Sequence, residues 1–259
     1  MTELAKLIAS LLALIGPAPK DMPAELQLKQ GDQIVAIGDS ITAAGGYLHD
    51  TDAVLASQYP DLKLPKIINT GIGGQKAEDL IKRFQKDVID RKPAVVTLSI
   101  GINDVWHRLG QPHDPKVLAD YQANVSKMVD MAQAAGIKVI LLAPTIIQED
   151  PHGLGNERLI VYVDAEKRIA AEKHCTFVDL HAMFLKALES KPADVKGNWI
   201  TGDGVHMNPR GDALMAIGVL RALGVPDEKI KAAGEVISRA APSIPSPGGA
   251  KDLSPRRGK

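Results

Sequence analysis

The chain has 259 residues, 45% of them hydrophobic, and its 31 basic side chains are balanced by 31 acidic ones. Such a length and apolar share suit one α/β domain of the larger kind, or two small ones, with a sizeable core. The zero net charge argues against nucleic acid as a partner, because phosphate binding needs a basic field, and the 3% aromatic content argues against a broad stacking platform for sugars or bases.

Residues 1–23 read as a leader. Its apolar run, Leu7–Ile15 behind Lys6, is too short to span a bilayer, so no stable membrane insertion is expected. Two readings stay open. One is the apolar part of a signal peptide, with Glu3 and the lack of a clean small-x-small cleavage site against it. The other is an amphipathic helix packed on the body. A periplasmic or secreted location is favoured over a cytoplasmic one. Gly16 to Pro23 forms a proline-rich joint to the body.

From residue 24 to 240 the pattern is regular. Short apolar runs at Gln33–Gly38, Lys66–Asn69, Ala94–Ile100, Ile137–Ala143 and Thr176–Leu180 predict five strands. Helical stripes lie between them: Leu80, Ile81, Phe84 and Val88, then Val117, Leu118, Tyr121, Val125, Met128, Val129 and Ala132. Asn208-Pro209 is an N-cap followed by proline at the first helical position, opening a helix through Leu223. Strands that alternate with helices and are apolar throughout imply a parallel sheet covered on both faces, in one domain. Cys175 is the single cysteine, which excludes an internal disulfide and a multi-cysteine metal site. Residues 241–259, rich in proline, serine and glycine and ending Arg256-Arg257-Gly258-Lys259, read as a disordered tail.

Ligands of such sheets sit outside the carboxyl ends of the strands, and four polar sets fall there. They are Gly38-Asp39-Ser40-Ile41-Thr42, Asn69-Thr70-Gly71-Ile72-Gly73-Gly74, Gly101-Ile102-Asn103-Asp104 and Asp203-Gly204-Val205-His206. Each alone has a plain reading as a turn, a helix cap or a surface pair. Together they contain what a serine hydrolase requires. Ser40 can supply a nucleophilic hydroxyl at a helix start. His206 can act as its base, and Asp203 can orient the imidazole. The Ser40 N–H, the Gly74 N–H and the Asn103 amide can receive an oxyanion; glycine suits the second because backbone must approach the substrate closely.

At these residues the sequence resembles the SGNH/GDSL hydrolase family. Gly-Asp-Ser-Ile-Thr matches the family's first block, and Ile-Asn-Thr-Gly-Ile-Gly-Gly resembles the second. Gly-Ile-Asn-Asp matches the third, and Asp-Gly-Val-His-Met-Asn-Pro resembles the block that carries the histidine. The resemblance covers about Gln33 to Leu223. It implies a flavodoxin-like three-layer α/β/α sandwich with a five-stranded parallel sheet. It also implies a Ser40–His206–Asp203 triad, an oxyanion hole of Ser40, Gly74 and Asn103, and hydrolysis of an ester or thioester without metal or cofactor. One departure is Gln75-Lys76, where many relatives have a pair such as Asp-Thr; it leaves the local support of the loop, and the choice between Gly73 and Gly74, open.

The expected substrate is a small-molecule or glycan ester with a short acyl group, acetyl on a carbohydrate first of all. Lysophospholipase and thioesterase activities of the same family are the alternatives, and a non-catalytic ligand-binding domain is a further one. A nucleotide binder of the same fold would place Asp39 against phosphate. Asp39, Trp106 and Thr145 are expected to border the pocket. Trp199 is read as packing beneath the loops. The loop over 146–157, with Glu149, Asp150 and His152, either borders the pocket or is an ordinary exposed loop. The remaining histidines are scattered without ligand spacing.

Overall fold

The structure is a computed structural model and describes residues 3–240, so the tail over 241–259 lies outside the described residues. Five strands form one sheet: β1 (Ile34–Gly38), β2 (Ile68–Asn69), β3 (Val95–Ser99), β4 (Lys138–Leu142) and β5 (Thr176–Val178). Their order is β2-β1-β3-β4-β5, and every pair is parallel. Each lies inside an apolar run read from the sequence, trimmed by a residue or two where the chain leaves the ladder. All positions of β1 and β3 are buried, which is why these runs carry no polar alternation.

Ten α-helices are seen among the described residues: α1 (Glu3–Ile15), α2 (Ser40–Ala44), α3 (Gly46–Gln58), α4 (Ala77–Asp87), α5 (Ile102–Trp106), α6 (Pro115–Ala134), α7 (Leu154–Lys173), α8 (Leu180–Leu188), α9 (Pro209–Ala222) and α10 (Asp227–Ala240). α4, α6 and α7 pack in succession as one layer, while α3, α8 and α9 with the α1–α10 pair form the other. The stripes explain the docking. Leu80, Phe84 and Val88 are buried from the α4 region, as are Tyr121, Val125, Met128, Val129 and Ala132 from α6. Asn208 caps α9 by accepting from the N–H groups of Arg210 and Gly211, with Pro209 at the first helical position.

The leader forms α1, which buries Ala5, Ile8 and Leu11 and packs on α10, α8 and α9. Arg221 of α9 ties down the joint that follows. Its guanidinium, only 4% exposed, donates to the Gly16 carbonyl at 2.6 Å and pairs with Asp227 at 2.8 Å.

Two registers position the chemistry. Gly38 pairs with Ser99, so β1 and β3 end level and release the chain side by side. Gly38 is also where β1 must turn directly into α2. A Cβ there would lie 2.2 Å from Thr42 Oγ1 and 2.6 Å from the Ser99 carbonyl oxygen; the threonine can rotate, but the neighbouring strand cannot withdraw. Gly38→Ala is therefore expected to lower the unfolding free energy by about 1–3 kcal/mol or more, as read from urea denaturation.

Candidate active site

In a sheet of order 2-1-3-4-5 the connections reverse direction between β1 and β3, and the crevice outside their carboxyl ends is the natural ligand site. Asp39 and Ser40 leave β1 there, and Gly101 to Asp104 leave β3. Ser40 opens α2, and Asp39 caps it through Oδ1, which accepts the Ile41 N–H at 2.9 Å. The capping carboxylate is pulled inside as a result: Asp39 is 2% exposed.

Ser40 Oγ lies 2.9 Å from His206 Nε2. The other ring nitrogen, Nδ1, lies 2.7 Å from Asp203 Oδ2. Asp203 Oδ1 accepts the main-chain N–H groups of Val205 and His206 at 3.0 and 2.8 Å. A carboxylate can only accept, so Nδ1 carries the hydrogen and Nε2 presents a lone pair to the hydroxyl. Partial burial pushes the Asp203 carboxyl up, but the hydrogen bonds from the His206 ring and from the two N–H groups outweigh it and hold the pKa below the usual carboxylate value. The serine, histidine and aspartate named from the sequence thus form one hydrogen-bonded chain.

The loop that carries the aspartate and histidine is closed at its base. Thr201 and Met207 form an antiparallel bridge, and the Gly202 N–H donates to the His206 carbonyl at 2.8 Å. The Asn208 side-chain amide donates to the carbonyls of Trp199 and Thr201, both at 3.1 Å. Glu149 completes the clamp. Its carboxylate accepts the N–H groups of Trp199, Ile200 and Thr201 and the Thr201 hydroxyl, while the adjacent Gln148 N–H donates to the Gly204 carbonyl at 2.6 Å. Read from sequence as a pocket border or an exposed loop residue, Glu149 instead ties down the segment before Asp203. Its contacts lie about fifty residues away, beyond the reach of any local pattern.

The glycine loop after β2 lies against the serine. A Cβ on Gly73 would come 3.8 Å from the Ser40 Cβ. Gly74 has a φ of +76°, in the left-handed region where glycine is strongly preferred. Asn69 braces the loop: its side chain donates to the Thr42 carbonyl at 2.6 Å and accepts the Gly71 N–H at 2.9 Å. Among the described residues, neither the Ser40 nor the Gly74 N–H is taken by a hydrogen bond within the protein. Asn103 is 3% exposed, and its Nδ2 donates to the Gln75 carbonyl at 3.0 Å and approaches Asp39 Oδ2 at 3.5 Å.

Of the three expected pocket residues, only Trp106 reaches the open face, at 38% exposed. Thr145 is 1% exposed, with its carbonyl facing His181 Nδ1 at 2.5 Å. Thr145 and Asp39 are both buried, and Asp39 is engaged as the cap of α2. Trp199 packs, with the Arg210 guanidinium stacked 3.5 Å from its ring centroid. Burial raises the carboxyl pKa of Asp39 to about 6 and that of Asp104 to about 7, against partly offsetting hydrogen bonds. Among the described residues no three His, Cys, Asp or Glu side chains are grouped to hold a metal ion, and no helix is long and apolar enough to cross a membrane.

The model of the GDSL-like lipase/acylhydrolase family matches residues 36–214. An acetylxylan esterase from Geobacillus stearothermophilus is 30% identical over 218 residues, covering 77% of this chain and 97% of the relative. An uncharacterised lipoprotein, YqeF, from Bacillus subtilis is 27% identical over 216 residues, covering 73% and 88%. Among solved structures, a catalytic serine-to-alanine mutant of the Geobacillus acetylxylan esterase superposes with a TM-score of 0.69 at 28% identity, covering 78% of this chain and 98% of its own. An α/β hydrolase enzyme from the metagenome of Lake Arreo, Spain, has a TM-score of 0.68 at 28% identity, covering 77% and 98%.

Two outcomes are expected from this geometry. Glu149→Ala frees three main-chain N–H groups at once, so hydrogen–deuterium exchange at Trp199, Ile200 and Thr201 is expected to speed up at least about tenfold, the effect of losing one charge-assisted bond. The second concerns pH. Asp104 holds its proton in the native state up to about 7, whereas the unfolded carboxyl releases it near 3.8. Stability from this group is full below the unfolded value and is lost as pH rises through the folded one; Asp39 adds in the same sense. The Tm is expected to fall between pH 4 and 7, and Asp104→Asn to flatten that slope.

Proposed function

The chain belongs to the GDSL-like lipase/acylhydrolase family, and from its site geometry we propose that it is a serine esterase that removes a short acyl group, such as acetyl, from a carbohydrate. The observation that carries this reading is the continuous chain from Ser40 Oγ through both nitrogens of His206 to the Asp203 carboxylate. An alcohol is a weak nucleophile, and a base held in the correct tautomer is what activates it.

Ser40 Oγ attacks the ester carbonyl carbon as its proton passes to His206 Nε2. The negative charge on the carbonyl oxygen is met by the Ser40 N–H, the Gly74 N–H and the Asn103 Nδ2 hydrogen not given to the Gln75 carbonyl. The imidazolium then gives its proton to the departing sugar hydroxyl, leaving the acyl group on Ser40. Water, deprotonated by His206, releases that group as the carboxylate and restores the enzyme. Asp203 stays ionised and supports the transient imidazolium. In the Geobacillus acetylxylan esterase, positions described as catalytic are a serine, an aspartate and a histidine, the last two three apart, the spacing of Asp203 and His206.

The short acyl group and the sugar are supported by that relative's substrate and by the single exposed tryptophan, Trp106, one helical turn after Asn103, which can wall a compact site. A carbohydrate polymer is met outside the cell, and one relative is a lipoprotein; both support an exported location, to be tested by the mass of the mature N-terminus. The activity test is a series of p-nitrophenyl esters. Turnover is expected to be highest on acetyl, lower on butyryl and lowest on octanoyl, and to fall about 10³-fold or more in Ser40→Ala. A maximum at octanoyl would favour a lysophospholipase or thioesterase, and undiminished turnover in Ser40→Ala would leave a serine mechanism without support.

A further inference from the structure

Arg83 lies midway along α4, on the side that faces the glycine loop. Its side chain is 13% exposed, and its hydrogen bonds reach three parts of the site. Nη1 donates to the Thr70 carbonyl at 2.6 Å, Nε to Gln75 Oε1 at 2.6 Å, and Nη2 to the Gly38 carbonyl at 3.0 Å. Thr70 and Gln75 bracket the Gly71–Gly74 turn. Gly38 is the residue before Asp39 and Ser40, and its carbonyl also accepts the Ile72 N–H at 3.1 Å. The Gln75 carbonyl, in turn, accepts from Asn103 Nδ2. One guanidinium therefore bonds both ends of the loop that carries Gly74 and the end of the strand that leads to Ser40, and Asn103 rests on a residue it holds.

The chemistry of the side chain suits this task. Carbonyl oxygens in three directions need a planar fork of fixed N–H groups, which arginine has and lysine lacks. Asp87, 17% exposed, sits 2.7 Å from Nη1 and offsets the cost of holding a cation away from water. The Gln75 side chain is held by Arg83 Nε.

We infer that Arg83 is a positioning residue that holds the glycine loop and Asn103 in register with Ser40, so that the oxyanion donors converge. This rests on the esterase reading above. Arg83 itself touches no reacting atom: what it fixes is the relative placement of three donors, and a displacement of about 1 Å in such a set typically costs about 10²-fold in rate.

The test uses the full chain and p-nitrophenyl acetate. In Arg83→Ala, kcat is expected to fall about 10²-fold with KM little changed. Millimolar guanidinium chloride should recover a large part of that loss, and sodium chloride at the same ionic strength should not. Arg83→Lys keeps the charge and a folded chain but lacks the fork, and is expected to lose at least about tenfold in kcat. Should Arg83→Ala fail to fold, the lysine variant decides by itself. A kcat in Arg83→Lys close to that of the parent would overturn the inference. So would a loss in Arg83→Ala that guanidinium leaves untouched and that follows the fall in Tm. Equal activity of the parent and Ser40→Ala would instead remove the esterase reading, whatever Arg83 does.

Discussion

The pairing of Gly38 with Ser99 is the constraint on which the rest of this molecule depends. Because β1 and β3 end at the same level, the chain leaving one carries Ser40 and the chain leaving the other carries Asn103 into a common crevice. Glycine at position 38 is what permits that level ending, since any side chain would meet the neighbouring strand's carbonyl. Apolar burial builds the sheet, and the sheet then delivers polar side chains at its rim, where some, Asp39 and Asn103 among them, are buried.

The rim is made of short helices and loops, and its loops are held by polar contacts rather than by a core. Here each reactive segment has its own anchor. Asp39 caps α2 beneath Ser40, Asn69 and Arg83 brace the glycine loop, and Glu149 with Asn208 closes the base of the histidine loop. The anchors are mostly charged or amide groups bonded to main-chain atoms, and such bonds fix direction as well as distance. The Ser40–His206–Asp203 chain is the visible result of these separate restraints. Its two hydrogen bonds orient a partly exposed imidazole.

Much of this was legible in the sequence, for a physical reason in each case. A strand buried on both faces is mostly apolar, and β1 and β3, buried at every position, announce themselves that way. Asn208-Pro209 states a helix start because a cap and a proline each have one favoured place. The polar sets were findable because the fold restricts reactive groups to strand ends. What escaped depends on contacts between distant residues. Nothing local tells that the Glu149 carboxylate will meet the main chain of Trp199 to Thr201, or that Arg83, beside the buried stripe of α4, turns towards the glycine loop. Asp39 and Thr145 stand at the rim by position yet are buried, Asp39 because it caps α2. Of the two tryptophans, Trp199 is stacked under Arg210, which leaves Trp106 as the exposed one.

The central claim is that His206 makes Ser40 nucleophilic. Its most direct measurement is covalent labelling with a fluorophosphonate, followed by mass spectrometry of the peptides. A single adduct on Ser40, formed more slowly as pH falls and lost in His206→Ala, is the expected result. An adduct on another residue, or Ser40 labelling that proceeds undiminished without His206, would contradict it.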